Sequence, residues 1–581
     1  MKRTAAGLDA RAKVSGLRSL TFTSLRSPQL LRLASKAVLC GLPLAFLVLF
    51  YFYPLATILR FSFSPDGGSQ AGLAALFADR YYLDVLLFSV WQALLSTVLT
   101  LAIGLPCAYV FARYRFRGKT LLRALATVPF VLPTVVVAAG FQALLGPHGV
   151  VNTALGSRTG LPALLQLQDT LALILMAHIF YNLAVVLRIV GGFWANLDPR
   201  VEEAAQVLGA NRWRVWREVT LPLLLPAIAA AALLVFLFTF TAFGTVLILG
   251  GPRFATLEVE IYRQAINFFN LPVAAALSLL QVLATLVLTI AYTQLQERVS
   301  LPLELRPQAT TLLPVTGWPR RLLAVGVIGV LLLLLLPLLA LAYRSVALGG
   351  ELSLRFYRLL GQNQRNAFFF VPPLTAVRNS LMFASLTTAF SLAVGVPAAY
   401  LLTQCQRWLR AVLNPVFILP LGTSAVTLGF GYLVTLDRPP LNLRTSPLLV
   451  PIAHTLIAFP FVVRAVLPVL RGINPRLREA AAVQGAAPWR VVWEVDVPIV
   501  ARAVLVGAIF AFTVSMGEFG ATLLLYLPDY PTMPLVIYQF IGQPGLENYG
   551  QALAMSTVLM LVTTVGFVAI ERLRVGEIGE F

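Results

Sequence analysis

The chain has 581 residues, of which 59% are hydrophobic and 12% charged, with a mean hydropathy of +0.83. A soluble domain carries about 25% charged residues, so this composition excludes a soluble globular protein and describes an integral membrane protein. The formal net charge of +20 would suit a nucleic-acid partner, but its distribution along the chain assigns it to one membrane face. We therefore expect contact with membrane lipid and none with nucleic acid.

In chain order, residues 1–36 form a basic tail with eight Lys or Arg against one acid, Asp9. The apolar stretch at 37–60 is too long for a signal-peptide core and has no small-residue cleavage site after it, so it reads as a retained anchor. Further spans fall near 85–111, 121–144, 169–191, 222–250 and 272–294, which completes a first half at 37–294. A polar, proline-bearing connector (295–320) leads to a second half at 321–571. Its spans lie near 322–343, 379–402, 411–435, 447–470, 499–526 and 549–570, and a tail follows at 572–581. The expected fold is all-α, with about twelve transmembrane helices in two sets of six. With both termini inside, inner segments hold 28 of the 44 Lys and Arg and outer loops 11, the bias that keeps positive charge cytoplasmic. Six spans separate equivalent points, so the halves are parallel repeats. Cys40, Cys107 and Cys405 lie far apart, in or beside apolar stretches, with no disulfide framework or metal-ligand spacing.

Between the fourth and fifth spans of each half lies a repeated loop. Pro199 to Pro222, PRVEEAAQVLGANRWRVWREVTLP, falls on Pro475 to Pro498, PRLREAAAVQGAAPWRVVWEVDVP, with 14 of 24 positions identical; unrelated stretches would share roughly one or two. Such a repeat is an internal duplication. Each copy reads as two short helices with a break between them. Asp198 or Asn474 caps the first, proline occupies its first position, and Glu202, Glu203 and Glu479 lie at the positive end of its dipole. Gly209 and Gly485 permit the left-handed turn that stops it, and Trp213 and Trp489 follow on the second. A single copy would read as an amphipathic loop resting at the lipid interface; two copies in register read as a docking element. The duplication also pairs His178 with His454, Phe243-Gly244 with Phe519-Gly520 and Ile261-Tyr262 with Ile537-Tyr538. Gly104 to Tyr109 matches Gly395 to Tyr400 at a spacing of 291 rather than 276. The span prolines Pro106, Pro133, Pro397 and Pro420 mark bends that suit a path able to open and close.

Gly118-Lys119-Thr120 resembles the end of a phosphate-binding loop, but Arg113 stands where the first glycine of that motif belongs. No GxSxG, HExxH or CxxC occurs, so no catalytic residue and no metal site is expected. His178 and His454 read either as proton relays or ligands, or as packing residues satisfied by interhelical hydrogen bonds. Glu518, in Met516-Gly-Glu-Phe-Gly520, falls inside the penultimate span, and its first-half counterpart is Ala242. An acid at membrane depth marks a functional position by default; the alternative is a carboxylate held by hydrogen bonds at the outer end of the span. It is the only acid that qualifies as intramembrane in this reading. The candidates for the translocation path are thus Glu518, His178 and His454.

Glu203-Ala204-Ala205 with Gly209, and Glu479-Ala480-Ala481 with Gly485, each followed by a proline thirteen residues past the glycine, resemble the EAA loops of type I ABC-importer permeases. The resemblance covers nearly the whole chain, and the fused two-half arrangement is similar to permeases for thiamine and for ferric iron. Gly244 to Gly251 followed by Thr256 to Tyr262 looks most like the thiamine type. It implies a bacterial inner-membrane permease whose EAA loops, with Trp213 and Trp489, dock two copies of a separate ATPase. ATP and magnesium would bind that partner and no cofactor this chain. It also implies substrate delivery by an extracytoplasmic binding protein, partly onto the long 344–378 segment. Thiamine or ferric iron is the expected cargo; an oxyanion, a polyamine, or ion-coupled secondary transport are the alternatives.

Overall fold

The computed structural model describes residues 41–63, 72–159, 166–299, 313–315, 317–348, 351–362, 372–437 and 441–574. The expected basic tail 1–36, most of the connector, Cys40 and the end of the last tail lie outside the described residues. Among the described residues, eleven helices are long and apolar enough to cross a membrane, and a twelfth crossing is a bent pair. In order these are span 1 (Gly41–Phe63), span 2 (Arg80–Arg113), span 3 (Thr134–Gly156), span 4 (Leu171–Asn196), span 5 (Arg212–Phe240) and span 6 (Leu271–Leu295). Span 7 (Arg321–Val346), span 8 (Thr375–Gln404), the bent span 9 (Arg407–Gly422 with Ala425–Thr435, meeting at 94°), span 10 (Leu449–Gly472), span 11 (Trp489–Gly517) and span 12 (Leu546–Ile570) follow. Apart from helices, the described residues form two pairs of two-residue strands. Tyr114–Arg115 runs parallel to Leu313–Pro314, which returns the connector to the foot of span 2, and Ala347–Leu348 pairs with Glu351–Leu352.

Four expected spans are broken. The 121–144 stretch is two helices, Lys119–Val131 and Thr134–Leu145, parted at Leu132, whose ψ of 142° is extended. Pro133 imposes this, because its ring disfavours helical geometry in the residue before it. In the second half the 411–435 stretch breaks at Thr423 and Ser424, and the Ser424 hydroxyl accepts from the Val426 amide at 3.1 Å to restart the helix. The 222–250 and 499–526 stretches stop early, at Phe240 and Gly517. Each is followed by a separate short helix, Gly244–Leu249 or Gly520–Leu524. Hydropathy runs through these breaks because the residues in them are mostly apolar. The break after Phe240 is also a close approach: a Cβ on Gly244 would sit 2.4 Å from Thr134 Oγ1.

Within each half, spans 2 and 4 or spans 8 and 10 pack at a glycine. A Cβ on Gly104 would come within 2.7 Å of Val186, and one on Gly395 within 2.8 Å of Val462, so the duplication preserves a contact as well as a sequence. The first helix of each half packs against both halves, span 1 on span 6 and on the second half, span 7 on span 12 and on the first. Leu47 and Tyr51 of span 1 are buried in the core of the second half, and Tyr51 Oη lies 2.7 Å from Thr423 Oγ1. Reciprocally, Ala324, Val327 and Leu331 of span 7 pack with Cys107, Val110 and Phe111 of span 2. A central core draws on both halves, from Val135 and Phe240 to Phe519 and Leu553. The two repeats therefore clasp each other.

Candidate functional site

The repeated loops occupy one end of the bundle. The first begins with helix Pro199–Val207, where Asp198 Oδ1 accepts from the Arg200 amide at 3.0 Å. It ends at Gly209, with φ +88°. There the Ala210 amide donates to the Ala205 carbonyl at 3.0 Å and the Gly209 amide to the Gln206 carbonyl at 2.9 Å, the paired bonds of a Schellman cap. The second loop repeats every part: Asn474 caps Pro475–Val483, Gly485 has φ +85°, and Ala486 and Gly485 donate to the Ala481 and Ala482 carbonyls, both at 3.0 Å. Beyond each glycine the chain enters span 5 or span 11 through one helical turn and a π-bulge.

The exposed face is the same in both copies. Glu203, Ala204, Glu479 and Ala480 are exposed, and Ala205 and Ala481 half-buried. Beside them stand Val207 and Leu208, each 88% exposed, and Val483, 89% exposed. Trp213 and Trp489 are about two-thirds exposed (66% and 65%); Trp213 stacks on Trp216 at 5.1 Å, and the Arg490 guanidinium lies over the Trp489 ring. Large apolar groups are thus held out on a double turn, an exposed apolar patch of the kind that characterises interaction surfaces.

A second constellation lies where the halves meet. Phe243 and Phe519, equivalent in the repeat, stack on each other at 5.7 Å and 24°. Tyr262 abuts Phe243 at 5.7 Å and its equivalent Tyr538 abuts Phe519 at 5.3 Å, making a four-ring row that reads alike from either end. Tyr538 also lines an open cleft of about 670 Å³, with Gln142, His148, Gln168, Gln539 and Tyr549, at the end of the bundle remote from the loops. Backbone hydrogen bonds anchor the row symmetrically: the Leu257 amide donates to Ser89 Oγ at 2.9 Å and the Met533 amide to Ser380 Oγ at 2.8 Å.

The acids around the row are not symmetric. Glu518 is not inside the span 11 helix, as expected from sequence, but in the break after it, where its Oε1 accepts from the Ala521 amide at 2.9 Å. It was also not alone. Glu258 and Glu260, on the short helix Leu257–Tyr262, are 0% and 1% exposed. Glu258 accepts from Ser424 Oγ across the halves at 2.5 Å and from Gln281 Nε2, and it lies near Glu518. Glu260 accepts from Tyr81 Oη at 2.8 Å and Gln264 Nε2 at 2.7 Å. The second half has Pro534 and Val536 at these places. Sequence reading missed both acids because they follow the apolar run in a stretch that looks like a loop. The Glu-Val-Glu spacing on a segment flanked by Leu257 and Ile261 was the available signal.

The candidate histidines hydrogen-bond each within its own half, and Thr522, which His454 contacts, donates to the Glu518 carbonyl at 3.2 Å. His178 is buried against Ser96 Oγ (Nδ1 at 3.0 Å), and His454 hydrogen-bonds with Ser515 Oγ and Thr522 Oγ1, both at 2.8 Å. Among the described residues, no group of three or more His, Cys, Asp or Glu is placed to hold a metal ion.

The model of the family "binding-protein-dependent transport system inner membrane component" matches residues 100–301 and again 391–574, two copies that together take in well over half of the chain. The chain belongs to that family. It is a fused, two-domain permease of an ABC importer, a multi-pass inner-membrane protein. Similar to it is the thiamine transport system permease protein ThiP of Escherichia coli (strain K12), 28% identical over 519 residues, covering 87% of this permease and 91% of that one. ThiP of Brucella abortus (strain 2308) is 27% identical, covering 90% of this permease and 92% of its own length. A solved bacterial ABC transporter that imports the acidic polysaccharide alginate aligns with 47% of this permease and 99% of that chain, at 18% identity and a TM-score of 0.39.

Proposed function

We propose that this permease imports thiamine or a closely similar aromatic cation, driven by two copies of a separate ATPase docked on its repeated loops. The observation that carries the cargo reading is the junction of the halves. Four aromatic rings with the carboxylates Glu258, Glu260 and Glu518 beside them suit a flat, positively charged solute, since ring faces attract cations and stack on aromatics. The names of the similar ThiP proteins support the same cargo. Ferric iron is the competing cargo from the sequence.

The loops support the motor reading. Glu203-Ala204-Ala205 and Glu479-Ala480-Ala481 present equivalent exposed faces, each set beside a protruding Trp213 or Trp489, as two identical partner subunits would require. We place the loops and termini in the cytoplasm on the charge bias, so the 670 Å³ cleft opens to the outside, where a binding protein would release its cargo. Closure of the ATPase dimer would draw the loops together and part the ring row; hydrolysis would restore it. ATP can drive this only by favouring one of the two arrangements over the other.

The experiment is uptake into proteoliposomes holding this permease, its ATPase and its binding protein, with ATP inside. ATP-dependent accumulation of labelled thiamine, undiminished by excess ferric iron, is the expected outcome. Accumulation of iron and not thiamine would overturn the cargo reading while keeping the motor reading. Uptake that persists without the ATPase, driven by a proton gradient, would overturn the motor reading and favour secondary transport.

A further inference from the structure

The two coupling helices are fastened to the feet of their spans by ion pairs of opposite polarity. In the first half, Glu202 on helix Pro199–Val207 receives Arg113 Nη2, from the last turn of span 2, at 2.5 Å, and Thr220 Oγ1, from the foot of span 5, at 2.8 Å. At the equivalent places of the second half stand Arg478 and Asp496, and Arg478 Nε donates to Asp496 Oδ1 at 2.8 Å. The residue matching Arg113 is Gln404. The acid has thus moved from coupling helix to span foot, and the cation from span foot to coupling helix. One of each remains at the junction.

The span side of each junction is enclosed, with Arg113, Thr220 and Asp496 8%, 4% and 5% exposed, while the Glu202 and Arg478 side chains are 25% and 30% exposed. The junctions differ from the exposed i,i+4 pairs Arg214–Glu218 and Arg490–Glu494, which lie within single helices and count for little. A buried charge that loses its partner is strongly destabilising, so both members must be kept or changed together. The loops differ at ten of 24 positions, yet both keep a hydrogen bond from the coupling helix to the foot of the following span, Glu202–Thr220 in one and Arg478–Asp496 in the other. That is expected if the bond itself matters and its direction does not.

We propose that Glu202 with Thr220, and Arg478 with Asp496, are positioning residues that lock each coupling helix to the foot of span 5 or span 11, with Arg113 tying Glu202 to span 2 as well. Displacement of the helix then passes to span 5 or span 11 rather than being absorbed at the Gly209 or Gly485 turn. The proposal rests on the coupling reading above, but the lock can be tested without the ATPase.

The test uses Arg478→Glu, Asp496→Arg, the exchanged double variant, and Arg478→Lys. In the purified full chain, hydrogen exchange of the amides of 475–483 should speed up in the two charge-reversing single variants. It should return to the parental rate in the double variant and stay near it in Arg478→Lys. In the complex with ATPase and binding protein, the charge-reversing singles should keep the ATPase bound yet lose about tenfold of the hydrolysis stimulated by the binding protein, and the double variant should recover it. A double variant whose exchange is no slower than either single would refute the lock. Normal stimulation in singles with fast exchange would reduce the pair to a structural contact. ATPase association that survives Gly209→Val with Gly485→Val would instead refute the coupling reading, and with it the positioning role.

Discussion

Glu518 combines two roles that a substitution can separate. Its carboxyl group caps the short helix Gly520–Leu524 through the Ala521 amide, and it places an ionisable group next to Phe519 of the Phe243–Phe519 stack. Glu518→Gln keeps an oxygen for the cap and removes the ionisable group; Glu518→Ala removes both. We predict that Gln lowers transport by about tenfold, equivalent to about 1.4 kcal/mol, with assembly intact. Ala should further destabilise the break by about 1 kcal/mol, the worth of a cap. Uptake assays paired with thermal unfolding separate the two effects, and full transport by Glu518→Gln would make the residue a cap alone. For His454, the bonds to Ser515 and Thr522 predict a stability effect. His454→Leu removes two buried hydrogen bonds, although Ser515 keeps Thr387 and Thr522 keeps the Glu518 carbonyl, and should cost about 1–3 kcal/mol, lowering Tm while transport per folded molecule stays near the parental value. A loss of transport without a loss of Tm would restore the relay reading.

Among the elements, the coupling loops are set by two glycines. At φ +88° and +85°, Gly209 and Gly485 hold a conformation that costs other residues about 1–2 kcal/mol, although no atom lies within 4 Å of where a Cβ would stand. The penalty of a substitution is therefore backbone strain rather than collision. Gly209→Val or Gly485→Val should unwind the turn, misdirect Trp213 or Trp489, and leave the twelve crossings intact. Co-purification should show weakened ATPase association at normal membrane yield. A double variant that binds and couples like the parent would show that the loops are not the docking element.

For the whole molecule, the bridging first helices tie each half to the other. Span 1 contributes Leu47 and Tyr51 to the core of the second half, and span 7 packs against span 2 of the first, while each also packs in its own half. A chain divided in the connector, giving 1–306 and 307–581, should reassemble when both fragments are co-expressed, and each alone should be degraded. A fragment that is stable by itself would contradict the clasp. Orientation belongs to this scale too. Cysteines placed at Asn211 and Ala487, in a background without Cys40, Cys107 and Cys405, should react with an impermeant thiol reagent only after the cells are opened. Reaction in intact cells would reverse the assigned sides.

What the sequence determined was whatever is local or repeated. Apolar length marks the crossings, because each must satisfy its backbone within one helix in lipid. The duplicated Pro199–Pro222 stretch marks the loops, because caps, glycine turns and protruding tryptophans follow from residue type at fixed spacing. Fourteen matched positions sufficed for that. Tertiary structure decided where the crossings break and what meets across the halves. The early stops at Phe240 and Gly517 are invisible to hydropathy, since the residues beyond them are also apolar, and Gly244 is needed only because Thr134 approaches it from another span. Glu258 became part of an intramembrane cluster only when the fold laid it against Ser424, 166 residues away. The reversed pairs at Glu202 and Arg478 looked like simple mismatches in the aligned repeats. Charge complementarity is a property of two positions in contact, and only the fold showed which positions those were.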